Sequence, residues 1–430
     1  MSVGRPLLRT SYQQDAAMFP TMFQKVALAI FLVLLVLMPF DIPILNQIPL
    51  YRFLGDSKWL VPMGNLLIFA IAAIGINIII GVAGQVSLGH AFFMGVGAYT
   101  AVVLGGEGRG GVAACVPFVG EGRCGLELPI WIWLPASAAA AALVGILVSP
   151  AAVKVRGLYL AFVTIALVFI GQHLGRMFPQ YAGDPETGRR WPALDIRLWR
   201  EEQPLVTMSE PSVWFGFLEL DHRQKQYFFL LALVIVTAIM AKNLMRSRTG
   251  RAFAAIRDRD VAAEIMGVPE FRYKMIAFAL SSAYAGLAGA LFASFNGRLG
   301  PPTWSLLLSV LFVAILLIGG AGTLVGTFLG AAFVVLLPHL VEVFTEGLAH
   351  RAGQEGVMGF IANLVISTGP GDFGPIAVGP TGPGWPMSVF QWNLVIFGVL
   401  IVVFLIFEPR GLFGIWTKIR NYWKGWPFSY

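Results

Sequence analysis

The chain is 430 residues long, 57% hydrophobic and only 12% charged, with a formal net charge of +7 and a mean hydropathy of +0.75. Soluble domains carry about 25% charged residues, so a disordered chain is ruled out and a soluble enzyme is disfavoured. Two cysteines are too few for a disulfide scaffold, which leaves an all-α polytopic membrane bundle whose 49 glycines let helices pack closely.

In chain order, ten stretches approach the roughly 20 apolar residues that a membrane-crossing helix needs. They are 23–40, 60–80, 90–104, 130–149, 158–174, 227–241, 275–295, 304–318, 324–339 and 392–407. They run continuously instead of alternating, which favours helices over a transmembrane β-barrel. The chain thus divides into an N-terminal segment, 1–59, that holds the first helix, a core from 60 to 407, and a basic tail, 408–430. The first stretch begins only after Arg5 and Arg9, and Met38-Pro39-Phe40-Asp41 lacks the small residues of a signal-peptide cleavage site. It is expected to stay as a helix.

With the N-terminus inside, alternation across ten spans places 17 of the 30 Lys and Arg inside, with 6 of the 23 Asp and Glu. The net is +11 inside and −4 outside, the positive-inside asymmetry. Both termini then face the cytoplasm, and an odd span count would put the basic tail outside. Apart from Lys25, at the mouth of the first stretch, no Asp, Glu, Lys or Arg falls within any of the ten. Ion-coupled transporters place ionisable relays there, so uphill transport by this chain needs energy from elsewhere.

The longest outside segments, 175–226 and 340–391, are too short for an ordinary catalytic domain. No Gly-x-x-x-x-Gly-Lys-Ser/Thr string occurs, and Gly106-Glu107-Gly108-Arg109-Gly110-Gly111 reads as a flexible loop. The five histidines lack metal-ligand spacing. No catalytic residue, metal, cofactor or nucleic acid is expected. Cys115 and Cys124 fall in the outside loop 105–129, where they form either a disulfide, if the compartment is oxidising, or two free thiols.

Three features carry more. The inside segment 242–274 holds a short helix from Thr249 to Ile256 and a second one capped by Asp260, with Glu264 in its first turns, Gly267 as its left-handed terminator and Pro269 beyond. It reads as a docking element, or as a basic loop on anionic lipid. Gly81-Val82-Ala83-Gly84-Gln85-Val86-Ser87-Leu88-Gly89-His90 has too many glycines for a continuous helix. Gly84, Gln85, Ser87 and His90 either line a path with neutral polar groups or form a capped turn. Small residues recur every four positions in Ser282, Gly286, Ala290 and Ser294 and in Gly322, Gly326 and Gly330. They mark close helix crossings inside the chain or against a partner membrane protein. Ile80 to Gly84 and Ile318 to Gly322 are similar strings at two inside turns, a faint internal repeat.

Arg248-Thr249-Gly250-Arg251, Ala255-Ile256-Arg257-Asp258 and Ala262-Ala263-Glu264-Ile265-Met266-Gly267 together resemble the coupling loop of ABC-importer permeases. Gly84 to Ala91 resembles a signature of the branched-chain amino acid permeases, in their LivM-type subunit, and the resemblance spans roughly 60 to 340. It implies an importer permease fold in a bacterial inner membrane. It implies partners too: a second homologous permease subunit, two ABC ATPase subunits and a periplasmic substrate-binding protein. Arg251, Arg257, Asp258, Ala262, Ala263, Glu264 and Gly267 are then the positions that dock on the ATPase. The order Ala-Ala-Glu replaces the Glu-Ala-Ala of other importers. Urea-importer permeases are a related family, so urea stands beside branched-chain amino acids as substrate.

Overall fold

A computed structural model describes residues 22–40, 57–106, 125–154, 157–182, 189–197, 207–208, 211–214, 218–349 and 411–425. Between 366 and 406 it also describes 366–367, 376–377, 387–388, 391–392, 395–396, 398–399, 402–403 and 406. Cys115, Cys124 and half of the stretch 392–407 lie outside the described residues.

The helices are α1 (Met22–Leu37), α2 (Leu60–Ile76), α3 (His90–Gly105), α4 (Ile130–Lys154), α5 (Leu158–Met177), α6 (Pro179–Ala182), α7 (His222–Arg246), α8 (Arg248–Asp258), α9 (Asp260–Ile265), α10 (Glu270–Asn296), α11 (Leu306–Gly319), α12 (Leu324–Ala349) and α13 (Gly411–Gly425). Among the described residues, seven helices are long and apolar enough to cross a membrane, and α1 and α3 are shorter apolar helices. Nine of the ten predicted stretches thus coincide with helices. Strands are only two or three residues long. One pair, β1 (Arg189–Arg190) with β2 (Arg298–Leu299), straps the 175–226 segment to the end of α10.

The helices run past the apolar limits that the sequence set. α7 starts at His222 and α10 at Glu270, because backbone hydrogen bonding continues wherever the side chains are satisfied. Lys225 is buried and donates from Nζ to the Thr207 carbonyl at 2.9 Å. Lys274 and Glu270, one turn apart and both buried, form an ion pair. Lys25 apart, charge is therefore absent from the predicted stretches but present at the ends of the helices that contain them.

α10 is the axis of the bundle and packs on α2, α3 and α4. The small residues make this possible. A methyl at Gly289 would strike the Met94 backbone, one at Gly97 the Gly286 backbone, and one at Gly286 the side chain of Ala141. Gly326 and Gly330 of α12 lie as tightly on the backbone of α11. Both small-residue stripes therefore serve crossings within the chain, where close backbone approach replaces a hydrophobic driving force.

A coupling junction and an apolar cavity

The 242–274 segment is built on its own bundle. Ser247 ends α7 and caps α8, its Oγ accepting from the Gly250 N–H at 3.3 Å. Gly250 lies against the last carbonyls of α7, so that only a glycine fits the corner. α8 then buries Ala252, Phe253 and Ile256, with the Phe253 ring edge-on to Tyr273 of α10 at 6.3 Å. The predicted helix from Thr249 to Ile256 is thus present and slightly longer.

α9 ends as its sequence implies. Gly267 has φ of 85°, its N–H donates to the Glu264 carbonyl at 2.9 Å, and the Val268 N–H donates to the Ala263 carbonyl at 2.9 Å. That pair of bonds is a Schellman motif. Asp260 differs from expectation. It is the first helical residue, following the cap position Arg259, and its Oδ1 accepts from the Val261 N–H at 2.9 Å.

The proposed docking positions divide by direction. Arg251, Asp258, Ala262, Glu264 and Gly267 are exposed. Ala263 is buried and faces the bundle. Arg257 is exposed as well, but its guanidinium reaches back to the bundle, donating from Nη1 to the Gly81 carbonyl. Sequence reasoning missed Val261, Ile265 and Met266. The last two are 80% and 84% exposed and make the tip of α9 apolar. Their signal was present: a short solvent-side helix with more apolar residues than its one buried position, Ala263, requires.

The inward side of Arg257 unites two motifs that are far apart in sequence. α2 continues as a π-helical turn, Asn77–Val82, and leaves it through Gly84 at φ of 69°. A Cβ on Gly84 would lie 2.7 Å from Arg257 Cγ. The turn between α11 and α12 passes through Gly322 at φ of 84°, where a Cβ would lie 3.1 Å from Arg257 Nη1. Asn77 Oδ1 accepts from the Gly322 N–H at 2.8 Å and joins the two turns directly. The similar strings 80–84 and 318–322 therefore meet in space, with Arg257 across both.

The rest of the Gly84 to His90 segment is mostly inward. Gln85 is buried, and neither end of its side-chain amide finds a partner among the described residues. Ser87 Oγ accepts from the Gly89 N–H at 3.5 Å, and Thr164 Oγ1 of α5 accepts from the Leu88 N–H at 2.9 Å. His90 is buried, with Nε2 2.9 Å from the Ala72 carbonyl and its ring edge-on to Phe312. His90 and Ser87 thus anchor a turn. Gln85 alone keeps unused hydrogen-bonding capacity.

A separate cavity of about 490 Å³ lies between α3 and α5. Its walls include Phe92, Tyr99, Val168, Leu174, Phe178 and Trp304. Trp191, Tyr99 and Trp304 cluster at ring separations of 5.5 to 6.5 Å. Trp191 is held there by donation from Nε1 to the Leu299 carbonyl at 3.2 Å. Trp304 is only 4% exposed; its Nε1 and the Tyr99 hydroxyl approach each other, and neither makes a hydrogen bond of normal geometry among the described residues. The cavity is apolar with two polar side-chain groups in its wall, the usual composition of a small-molecule site.

A bundle of apolar, membrane-length helices, entered at one end by a rigidly mounted polar helix pair, is the scaffold of a polytopic membrane transport protein. The chain belongs to the family described as branched-chain amino acid transport system / permease component, which matches residues 62–405. The high-affinity branched-chain amino acid transport system permease protein LivM of Escherichia coli K12 is 29% identical over 76% of this chain and 70% of its own length. LivM of Salmonella typhimurium LT2 is 28% identical over 65% of this chain and 63% of its own. The autoinducer 2 import system permease protein LsrC of Enterobacter sp. 638 is 33% identical over 34% of this chain and 42% of its own length. No solved structure matches.

Proposed function

We propose that this chain is a membrane-spanning subunit of an ATP-driven importer of branched-chain amino acids in a bacterial inner membrane. It works with a second permease subunit, two ATPase subunits and a periplasmic binding protein, and both its termini face the cytoplasm. The observation that carries the reading is the junction at Arg257. α9 offers an apolar tip, Val261, Ile265 and Met266, with Glu264 beside it. α8 is fixed to α10 by buried side chains, and Arg257 touches the ends of two membrane helices at once. A push on α9 is thereby delivered to the 81–84 and 320–322 turns together.

The apolar cavity favours an amino acid with a hydrocarbon side chain over urea, which has no apolar surface to bury. Trp304 Nε1 and the Tyr99 hydroxyl are the neutral partners for the polar end of such a solute. This replaces Gly84, Ser87 and His90 as the favoured contacts, and leaves Gln85 as the one member of that segment with capacity to spare.

The decisive experiment is purification of the native complex and its reconstitution with binding protein. ATPase subunits are expected to copurify, and leucine uptake is expected to require ATP. Replacement of Ile265 by Asp, or of Glu264 by Arg, releases the ATPase subunits. Leucine uptake driven by an ion gradient without ATPase subunits would end this reading.

A further inference from the structure

Helix α13 is amphipathic in an unusual sense. Its first turn packs on the bundle through Gly411, Leu412 and Gly414, and the apolar residues beyond that turn face away. Gly411 and Gly414 are buried. Gly411, at φ of 64°, sits so close to the α11 terminus that a Cβ would lie 2.5 Å from the Ile318 carbonyl and 2.8 Å from the Gly320 nitrogen. Ile415, Trp416, Ile419 and Tyr422 are all exposed. At about 100° per residue these four fall within an arc of about 120°. Lys418 and Arg420, also exposed, stand at its two edges.

Three observations identify what covers this face. The helix abuts the 318–322 turn, the same turn that Arg257 reaches from the other side, so α13 lies at the coupling end of the bundle, where the membrane helices emerge. Its aromatic and aliphatic arc is bordered by cations, the arrangement of a helix lying in a membrane interface with long basic side chains reaching the headgroups. From Pro409 to Tyr430 the chain has Arg410, Lys418, Arg420 and Lys424 and no Asp or Glu.

We propose that α13 lies in the plane of the membrane surface and binds anionic phospholipid. The inference rests on the proposed function only for the leaflet concerned, the cytoplasmic one. The chemistry is complementary. Ile415, Trp416 and Ile419 enter the acyl boundary, while Lys418 and Arg420 meet headgroup phosphates and the negative surface potential.

The test uses the assembled complex in nanodiscs of phosphatidylcholine, with and without phosphatidylglycerol. A nitroxide is placed through Trp416→Cys, in a background in which Cys115 and Cys124 are serine and uptake is retained. With phosphatidylglycerol, the probe is expected to be open to oxygen and shielded from a water-soluble nickel chelate. In the double variant Lys418→Gln, Arg420→Gln that phosphatidylglycerol-dependent shielding is lost. A probe open to the nickel chelate in both lipids would put α13 in water and overturn the proposal. A probe shielded from both reagents would put a protein partner there and overturn it equally, as would identical lipid dependence in parent and double variant. Should Trp416→Cys fail to assemble, Ile419→Cys reads the same face. A correct depth in a complex that takes up no leucine would sink the importer reading and leave α13 where it is proposed to be.

Discussion

Arg257 points its guanidinium at a backbone carbonyl, and that choice defines its role. A cation at a helix C-terminus is favourable because the last carbonyls lack partners, and a hydrogen bond from a charged donor is worth about 1.5–3 kcal/mol. Arg257→Gln is therefore expected to lower leucine uptake roughly tenfold while ATPase subunits still copurify. Arg257→Lys, which keeps the charge but not the planar fork, should recover part of it. Reconstituted uptake with pull-down measures both. Trp304→Phe, which keeps the ring in the cavity wall and removes the indole N–H, should raise the leucine concentration for half-maximal uptake by roughly tenfold. Unchanged concentration dependence would separate the cavity from the path. Gly97→Ala is expected to lower the melting temperature of the purified protein, because its methyl meets the Gly286 backbone, which cannot yield as a side chain would. Gly97 was not legible in the sequence as special, since a glycine's neighbour across a helix crossing is set by the crossing. Arg257 was legible as important but not in its direction. Ile256 beside it is buried, and one helical step of 100° separates the buried face from the exposed one.

At the scale of elements, the pair α8–α9 shows what local sequence determines well. Ser247, Gly250 and Gly267 fix both ends by cap, corner and left-handed turn, and each is a requirement of the backbone itself. Gly267 has open space around the position of a Cβ, so its replacement is strained only through φ. Gly267→Val should destabilise the end of α9 by about 1–2 kcal/mol and reduce binding-protein-stimulated ATP hydrolysis. Gly267→Asn should be tolerated, because asparagine visits this region readily. Equal effects from the two would show that the side chain, and not the backbone, is what matters there. The apolar tip of α9 was harder to see in the sequence. Val261, Ile265 and Met266 are ordinary core residues by composition, and only the bundle's position reveals that nothing among the described residues covers them.

For the whole molecule, hydropathy found the helices but set their bounds too short. Hydropathy stopped the seventh stretch at Met275, whereas α10 runs back to Glu270 through a buried ion pair that a residue-by-residue scale counts as solvent. The similarity of 80–84 and 318–322 was faint in sequence because five small residues carry little information, yet the fold brings the two turns together at Asn77, Gly322 and Arg257. The proposed orientation is directly checkable. A maleimide that does not cross membranes should label Glu264→Cys only from the cytoplasmic side, and only until the ATPase subunits cover it. The π-helical turn Asn77–Val82 has one further consequence. A π turn holds more residues than the 3.6 of an α turn, so α2 carries a surplus of about one residue just before Gly84. That surplus is slack in the chain's length. Deleting one residue from 78–80 would let the helix wind on as α and draw the Gly84 corner back by about 1.5 Å. The segment is thus a place where the chain's own register, like a spare tooth on a gear, allows one step without unthreading the bundle.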